Sequence, residues 1–180
     1  MTRIVAGLAG GRRLSVPAGR RTRPTSERAR EGLFSSLGDL SGARFLDLFA
    51  GSGAVGLEAL SRGASAATLV ESDAGALRVL RSNATGLGLP GVDVRPSSVE
   101  RFLDELVERD EPGEPYDVVF LDPPYALDID PVLRRALVAI GDVVVVERAT
   151  RDGAPTWPDG VVGDKVRRYG DTALWYGRRS

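Results

Sequence analysis

Short apolar runs alternate with amphipathic segments over most of the chain from residue 44 onward. From this pattern we predict strands at 44–49, 66–71, 91–95, 116–121 and 142–147, with helices between them at 54–62, 73–84, 98–109 and 129–139. The run of valines at 143–146 is typical of a strand buried on both faces. The alternation of strands and helices predicts an α/β fold with a Rossmann-like, doubly wound, mostly parallel sheet.

The two ends of the chain follow a different pattern. Residues 3–16 alternate apolar and polar positions around Gly10 and Gly11, which predicts a small β-hairpin, and a loop at 17–23 follows it. A helix then begins at a cap residue, Thr25 or Ser26, and ends at Gly38. Near the other end, 166–169 and 172–176 predict an antiparallel C-terminal hairpin at one edge of the sheet. Residues 108–115 and 150–164 are predicted as loops. We expect an amino-terminal extension at 1–40 and a larger domain at 41–180.

Composition restricts the chemistry that the chain can perform. The chain has no cysteine and no histidine, which excludes disulfides, thiolate metal sites and the commonest general base. Catalysis must therefore use carboxylates, tyrosine, lysine, hydroxyls or the backbone, and no spacing of acids predicts a metal site. No run of apolar residues has the length of a signal peptide or a membrane span, so we expect a soluble cytoplasmic protein.

The charge is unevenly distributed along the chain. Residues 1–30 contain eight arginines and one acid, a net charge of +7, whereas the whole chain carries −1. This segregation predicts an RNA or other polyanion partner for the extension, and the alternative is a solvated arginine-rich tail. The candidate RNA-binding residues are Arg12, Arg13, Arg20, Arg21, Arg23, Thr25, Arg28 and Arg30.

A glycine motif lies between the first long strand and its helix. Gly51, Gly53 and Gly56 match G-x-G-x-x-G, in which small residues let the backbone approach a nucleotide and let the helix pack on the strand. Asp47 lies within that strand, where a buried charge needs a partner. Glu71 ends the next strand, where an acid can accept hydrogen bonds from a ribose. Together they predict an adenosine-containing ligand, although a glycine turn that only connects two elements remains an alternative.

A second candidate site follows the strand at 116–121. Asp122, Pro123, Pro124 and Tyr125 form a loop stiffened by two prolines. The Asp122 carboxylate and the neighbouring carbonyl are paired acceptors for an amino group, and Tyr125 offers a ring on which a flipped base can stack. We take these four residues as the candidate catalytic residues. The alternative is a proline turn with Tyr125 in the core.

These motifs carry a family resemblance. Residues 47–53 together with 122–125 resemble class I S-adenosylmethionine-dependent methyltransferases that act on exocyclic amino groups. Residues 3–7, 11–14 and 23–34 are similar to the bacterial 16S ribosomal RNA guanine-N2 methyltransferases of the RsmD type. The resemblance implies contacts to the methyl donor from Asp47, Phe49, Ala50, Gly51, Ser52, Gly53, Glu71, Ser72, Ser98, Val99 and Asp122.

The same resemblance implies a substrate and a mechanism. The substrate would be 16S ribosomal RNA in the small subunit or its assembly intermediate, methylated at guanine 966. The extension would bind RNA, and we expect a monomer that needs no metal. One departure concerns Ser98, which stands where such enzymes often place Asp or Asn at the adenine amino group.

Three other functions remain open from the sequence. The glycine motif and Glu71 also occur in dehydrogenases, which give no role to the loop at 122–125. An amino-methyltransferase could act on adenine, cytosine or a protein glutamine. A non-enzymatic RNA-binding or ribosome-assembly factor would tolerate the loss of Asp122.

Overall fold

The computed structural model describes residues 2–18, 25–109 and 113–180. The predicted loop residues 19–23 and 110–112, including Arg20, Arg21 and Arg23, therefore lie outside the described residues. The strands and helices, in chain order, are β1 Thr2–Arg3, β2 Arg13–Leu14, α1 Glu27–Leu37, β3 Arg44–Leu48, α2 Ala54–Ser61, β4 Ala66–Glu71, α3 Ala74–Leu87, β5 Val92–Pro96, α4 Val99–Val107, β6 Tyr116–Leu121, α5 Ile129–Ala136, β7 Ile140–Ala149, β8 Val161–Tyr169 and β9 Thr172–Arg179.

The main sheet has seven strands in the order β5-β4-β3-β6-β7-β9-β8. The first five in that order pair in parallel, whereas β9 pairs antiparallel with both β7 and β8. The predicted doubly wound sheet with an antiparallel C-terminal hairpin is confirmed. Because the chain moves outward from β3 to β5 and then returns to β6, the strand order reverses between β3 and β6. In such sheets ligands bind at the carboxyl ends of the strands on either side of that reversal.

Several element bounds differ from the sequence prediction. The prediction of a loop at 150–164 is wrong at its end, because β8 already begins at Val161. β8 is an edge strand held by backbone pairing to β9, and most of its side chains are exposed or half-buried, so it shows little apolar alternation. β7 runs from Ile140 to Ala149 and is longer than predicted. α3 continues past the predicted end to Leu87, where Gly88 at φ 63° ends it.

Two apolar clusters fill the two faces of the sheet. One cluster includes Leu57 of α2 and Leu80 of α3, and the other includes Phe102 of α4 and Leu133 of α5. Gly56 lets α2 lie close to β4, since a Cβ there would come within 2.4 Å of Leu69 Cδ2. Among the described residues, every helix is too short or too polar to span a membrane.

The amino-terminal segment is a short hairpin whose connecting loop is bound to α2. β1 and β2 pair antiparallel over two residues each, so the hairpin predicted around Gly10 and Gly11 is confirmed, although its strands are shorter than the alternating pattern at 3–16. The N–H groups of Val5 and Ala6 donate to the Glu58 carboxylate, at 2.8 and 3.0 Å. The buried Glu58 thus takes donors that a longer hairpin would have paired. α1 begins after Ser26, as predicted, because the Ser26 hydroxyl accepts the N–H of Ala29.

Candidate active site

The carboxyl ends of β3, β4, β6 and β7 open on a cavity of about 1040 Å³. This is the edge of the sheet at which the reversal of strand order between β3 and β6 predicts a ligand-binding site. Its lining comes from the glycine loop, from the loop after β6, from the segment around α1 and from the C-terminal hairpin. The lining residues are Val16, Pro17, Thr25, Ser26, Arg28, Asp47, Phe49, Ala50, Gly51, Ser52, Ala54, Val55, Glu71, Ser72, Phe120, Asp122, Pro123, Pro124, Tyr125, Leu127, Ile129, Glu147, Arg148, Ala149, Asp152, Tyr169, Gly170, Asp171 and Thr172.

The glycine loop turns the chain sharply between β3 and α2. Phe49 adopts φ 65°, and it is the one non-glycine residue with positive φ in the described parts of the chain. Gly51 and Gly53 follow at φ 58° and 82°, a backbone that favours glycine. The loop is held by Glu71, whose Oε2 accepts the Gly51 N–H at 2.8 Å. Gly53 itself faces Leu57 and Leu80 beneath the loop and does not line the cavity.

Glu71 binds backbone N–H groups of two segments that border the cleft, the glycine loop and the start of α3. Besides Gly51, it accepts the N–H groups of Ser72 at 3.0 Å and Asp73 at 2.8 Å through Oε1. The side chain therefore joins the glycine loop to the start of α3. The sequence predicted the place of this acid, and the structure adds that it shapes the loop.

Asp47 is buried beneath the same loop, with 1% of its surface exposed. Its Oδ2 accepts the N–H of Gly56 at 2.9 Å, which favours the charged form. Burial outweighs this bond, and with the neighbouring charges of Glu71 and Glu147 it raises the pKa of Asp47 to about 7.

The loop after β6 forms the opposite wall. All four residues from Asp122 to Tyr125 line the cavity. Tyr125 is 67% exposed, so the alternative that placed it in the core is wrong. Burial, followed by the charges of Glu147 and Asp47, raises the pKa of Asp122 well above its ordinary value.

Glu147 is a third carboxylate in the cleft, and the sequence analysis missed it. It lies near the end of β7, and Leu121 and Val146 pair across β6 and β7. Asp122 and Glu147 therefore follow paired residues on neighbouring strands. Glu147 is 8% exposed, and its Oε2 accepts the Thr25 hydroxyl at 2.6 Å. Burial raises the pKa of Glu147 to about 7, and the bond from Thr25 opposes the shift.

A signal for Glu147 was available in the sequence. The acid directly follows four valines, just as Glu71 directly follows the apolar residues of β4 and Asp122 follows those of β6. Because the carboxyl ends of parallel strands share one edge, the same reasoning would have placed it in the cleft.

The predicted RNA-binding residues divide into three groups. Arg12, Arg13 and Arg28 are exposed, and Arg28 also lines the cavity. Arg20, Arg21 and Arg23 lie outside the described residues. The prediction for Arg30 is wrong: its side chain is fully buried, its Nη2 donates to the Arg3 carbonyl at 2.6 Å, and its Nε lies 3.9 Å from Glu58 Oε2. A buried guanidinium cannot reach a phosphate. Thr25 is also buried and is engaged by Glu147.

Ser98 and Val99 do not line the cavity, although the resemblance implied donor contacts from both. The Ser98 hydroxyl accepts the N–H of Arg101 at 3.3 Å and so caps α4. The Val99 side chain packs in the cluster beside α4 and α5. Ser98 therefore starts this helix and Val99 packs in the core, while the contacts of both with the methyl donor stay predictions.

Asn83 of α3 connects the amino-terminal segment to the glycine loop. Its Nδ2 donates to the carbonyls of Ser15 and Ser52, both at 2.9 Å, and its Oδ1 accepts the Ser15 N–H at 2.9 Å. Asn83 is buried, and nothing in its sequence neighbourhood marks it. The amino-terminal segment and the glycine loop are therefore held by one side chain.

The chemistry of the cleft fits the donor that the resemblance implies. Asp47, Asp122 and Glu147 all line it, and all three have raised pKa values. A cation bound beside them would favour their charged forms. S-adenosylmethionine carries a sulfonium and an ammonium group. No group of three or more acids within residues 2–18, 25–109 and 113–180 is arranged to hold a metal ion.

Comparisons with known proteins agree with the fold. The family described as "Conserved hypothetical protein 95" matches residues 2–178. The chain is 38% identical over 165 residues to Ribosomal RNA small subunit methyltransferase D of Escherichia coli K12, covering 87% of this chain and 79% of that protein. The structure of yhhF from Escherichia coli, assigned as a methyltransferase, superposes with a TM-score of 0.84 at 33% identity, covering 98% of this chain and 97% of that one. A methyltransferase solved in complex with S-adenosylhomocysteine, SMU.776, shares the fold at a TM-score of 0.67 and 13% identity, over 84% of this chain and 48% of that one.

Proposed function

The chain belongs to the family described as Conserved hypothetical protein 95, and from this membership and the geometry of the cleft we propose that it is an S-adenosylmethionine-dependent RNA methyltransferase. Its substrate is 16S ribosomal RNA, and the acceptor is the exocyclic N2 amino group of a guanine. The observation that carries the proposal is that the glycine loop and the loop at 122–125 open on the same cavity.

The wall formed by β3 and β4 holds the methyl donor. Glu71, at the end of β4, faces the ribose, while Gly51 and Ser52 let the backbone approach the ligand closely. Asp47 supports the loop through Gly56 and supplies negative charge near the donor's cationic groups. When bound, S-adenosylmethionine supplies an electrophilic methyl group on a sulfonium, which leaves as the neutral thioether of S-adenosylhomocysteine.

The opposite wall holds the guanine. The N2 lone pair of guanine is delocalised into the ring, so the amino group is a poor nucleophile. Asp122 Oδ and the Pro123 carbonyl would accept its two hydrogens and favour a pyramidal nitrogen with an available lone pair. The methyl group that the donor supplies would pass from sulfur to this nitrogen, with the S–C bond broken as the N–C bond forms, and Asp122 or water would take the surplus proton from nitrogen. Tyr125 stacks on the flipped base, and holding both reactants in line supplies much of the acceleration.

Arginines beside the cleft and on the amino-terminal segment bind the phosphates of the RNA backbone. Arg28 lines the cavity, Arg148 lies at the end of β7 beside it, and Arg12 and Arg13 lie on the amino-terminal segment. Arg12, Arg13 and Arg28, together with Arg20, Arg21 and Arg23 of the sequence, make the extension at 1–40 positively charged, and this extension binds RNA in the small subunit or its precursor. The enzyme acts as a monomer in the cytoplasm, where ribosomes are assembled, and guanine 966 is the target nucleotide.

The test is transfer of labelled methyl groups to small subunits from cells that lack the enzyme, followed by nucleoside analysis. We expect one labelled product, N2-methylguanosine, at a single position of 16S ribosomal RNA. Asp122→Ala is the matched variant and should label the subunits more slowly by a factor of about 10² to 10³. A different methylated nucleoside would redirect the proposal to another base. RNA binding without methyl transfer would support an assembly factor instead.

A further inference from the structure

Glu147 has so far been given only a general role, as negative charge in the cleft, and no contact with the base. It is 8% exposed and lines the cavity, next to Asp122 on the neighbouring strand. Its Oε2 is fixed by the Thr25 hydroxyl at 2.6 Å. Within the described residues no hydrogen-bond donor reaches its Oε1. A nearly buried carboxylate that is anchored through one oxygen therefore presents the other to the cleft.

The bases differ in what they present beside the amino group that is methylated. Guanine has an N1–H donor next to its N2 amino group. Adenine has the N1 lone pair next to its N6 amino group, and cytosine has the N3 lone pair next to its N4 amino group. An acceptor beside the loop at 122–125 would therefore bind guanine and repel the other two. A buried polar group that is left unpaired, or that faces a like partner, costs more free energy than the bond itself gains.

We propose, on the basis of the function proposed above, that Glu147 is the residue that selects guanine, by accepting N1–H through Oε1 while Asp122 and Pro123 hold the N2 amino group. Thr25 is a positioning residue, since its hydroxyl fixes the orientation of the carboxylate. The raised pKa of Glu147, about 7, agrees with a carboxylate that is poorly solvated until the base supplies a hydrogen-bond donor.

A purely structural role for Glu147 makes a different prediction. In that case the carboxylate only ties Thr25, and with it the start of α1, to the end of β7. Its loss would slow the enzyme on every base to the same extent. The ratio of the methylation rates on two bases therefore distinguishes the selective role from the structural one, whereas either rate alone does not.

The test uses 2-aminopurine, which keeps the 2-amino group of guanine but has a lone pair in place of N1–H. Subunits are assembled with 16S ribosomal RNA ligated to carry guanine or 2-aminopurine at the position that the parent enzyme methylates. Single-turnover methyl transfer is measured at pH 8, above the pKa of about 7 that burial gives Glu147. The parent enzyme, Glu147→Gln and Thr25→Val are compared, with Glu105→Gln on α4 as the matched control.

The rate of the parent enzyme should be higher on guanine than on 2-aminopurine by a factor of at least about 10², as expected for a site that accepts a hydrogen bond from its substrate. In Glu147→Gln the amide can turn either its oxygen or its NH₂ toward the base, because the Thr25 hydroxyl can donate or accept. The preference should then fall by about tenfold or more. Contributions from the missing O6 of 2-aminopurine are the same for both enzymes and cancel in this comparison.

An unchanged preference in Glu147→Gln, with both rates lowered equally, would overturn the inference. So would a folded variant that binds the donor and methylates neither base, which would assign Glu147 to the chemical step. If Glu147→Gln does not fold, Thr25→Val decides, with an expected loss of preference of about threefold. Failure of the proposed function is distinguishable, because the parent enzyme would then not methylate the guanine substrate at all.

Discussion

The two walls of the cleft stabilise their acids in different ways. On the donor wall, backbone N–H groups of the domain itself hold the carboxylates: Gly56 donates to Asp47, and Gly51, Ser72 and Asp73 donate to Glu71. On the base wall, Glu147 is held by the hydroxyl of Thr25, which precedes α1. The acids of the donor wall are therefore held by backbone of the larger domain, whereas the acid of the base wall is held by the amino-terminal segment.

This difference separates two tasks. A donor that is the same in every reaction can be bound by a fixed backbone arrangement. In the proposed function, the wall that faces the base depends on the segment that also carries the exposed Arg12 and Arg13, so base binding would be coupled to RNA binding. Substitutions on the two walls should accordingly separate methyl-donor affinity from turnover.

The largest effect is expected on the base wall, at Asp122. Asp122→Ala removes an acceptor that acts on the amino group in the transition state, and turnover should fall by about 10² to 10³. Donor affinity should remain within about twofold of the parent value. Single-turnover methyl transfer at saturating donor, with calorimetry for donor binding, measures both. Tyr125→Phe is the matched control and should be mild, because the ring is retained. A parent-like rate in Asp122→Ala would contradict the proposed mechanism.

The second effect concerns stability and pH at Glu147. Its pKa in the folded protein is about 7, above the unfolded value of 4.5, so the folded state holds a proton that the unfolded chain gives up between these values. The stability of the protein should therefore fall as the pH rises through this window. Glu147→Gln lacks this titration, and its free energy of unfolding relative to the parent should rise by up to about 3 kcal/mol between pH 4 and 8.

Urea unfolding at a series of pH values measures this difference. Asp47 and Asp122 titrate in the same direction and remain in the variant, so part of the pH dependence should persist. Glu105→Gln, at an exposed ion pair with Arg101, is the control and should show no such trend. A flat difference between Glu147→Gln and the parent would mean that Glu147 is charged throughout the window.

The third effect lies on the donor wall, at Glu71. Glu71→Ala removes the acceptor of the Gly51 N–H and the proposed partner of the ribose, and each charged hydrogen bond is worth about 1.5–3 kcal/mol. Affinity for S-adenosylmethionine should fall by about tenfold or more in calorimetry. Glu71→Gln keeps one acceptor oxygen and should lose less. Equal affinity in the parent and Glu71→Ala would remove Glu71 from the donor site.

The smallest effect is expected on the amino-terminal segment. Replacing Arg12 and Arg13 by Gln should lower the slope of log affinity against log salt by about 0.7–0.9 for each phosphate that the variant no longer binds. Donor affinity should not change. The matched control replaces Arg101 and Arg135 on α4 and α5. If the segment is merely solvated, the two double variants will show the same salt dependence as the parent.

The parts of the site that the sequence predicted are local in the chain. The glycine motif, Asp47, Glu71 and the loop at 122–125 were recognisable because strand ends and turns have a signature within about ten residues. The prediction of a parallel sheet then brought them to one edge. Glu147 could have been found by the same reasoning.

The errors concern burial and interactions between distant parts of the chain. Arg30 was taken for an RNA-binding residue because composition cannot tell a solvated arginine from one buried beside Glu58. For Ser98 the sequence did not show that the residue caps α4, and its contact with the methyl donor stays a prediction. Asn83 joins Ser15 to Ser52, residues 68 and 31 positions away, so no local pattern could have marked it.

The bond between Thr25 and Glu147 spans 122 positions of the chain, which has a consequence for biosynthesis. The amino-terminal segment leaves the ribosome first, yet its partners Glu58, Asn83 and Glu147 are translated later, the last of them near the end of the chain. Until Glu147 has been translated, the segment lacks one of its partners and the wall that Thr25 helps to form stays incomplete. Contacts between such distant residues also form slowly. The base wall is therefore the part of this enzyme that must mature last, after release of the nearly complete chain.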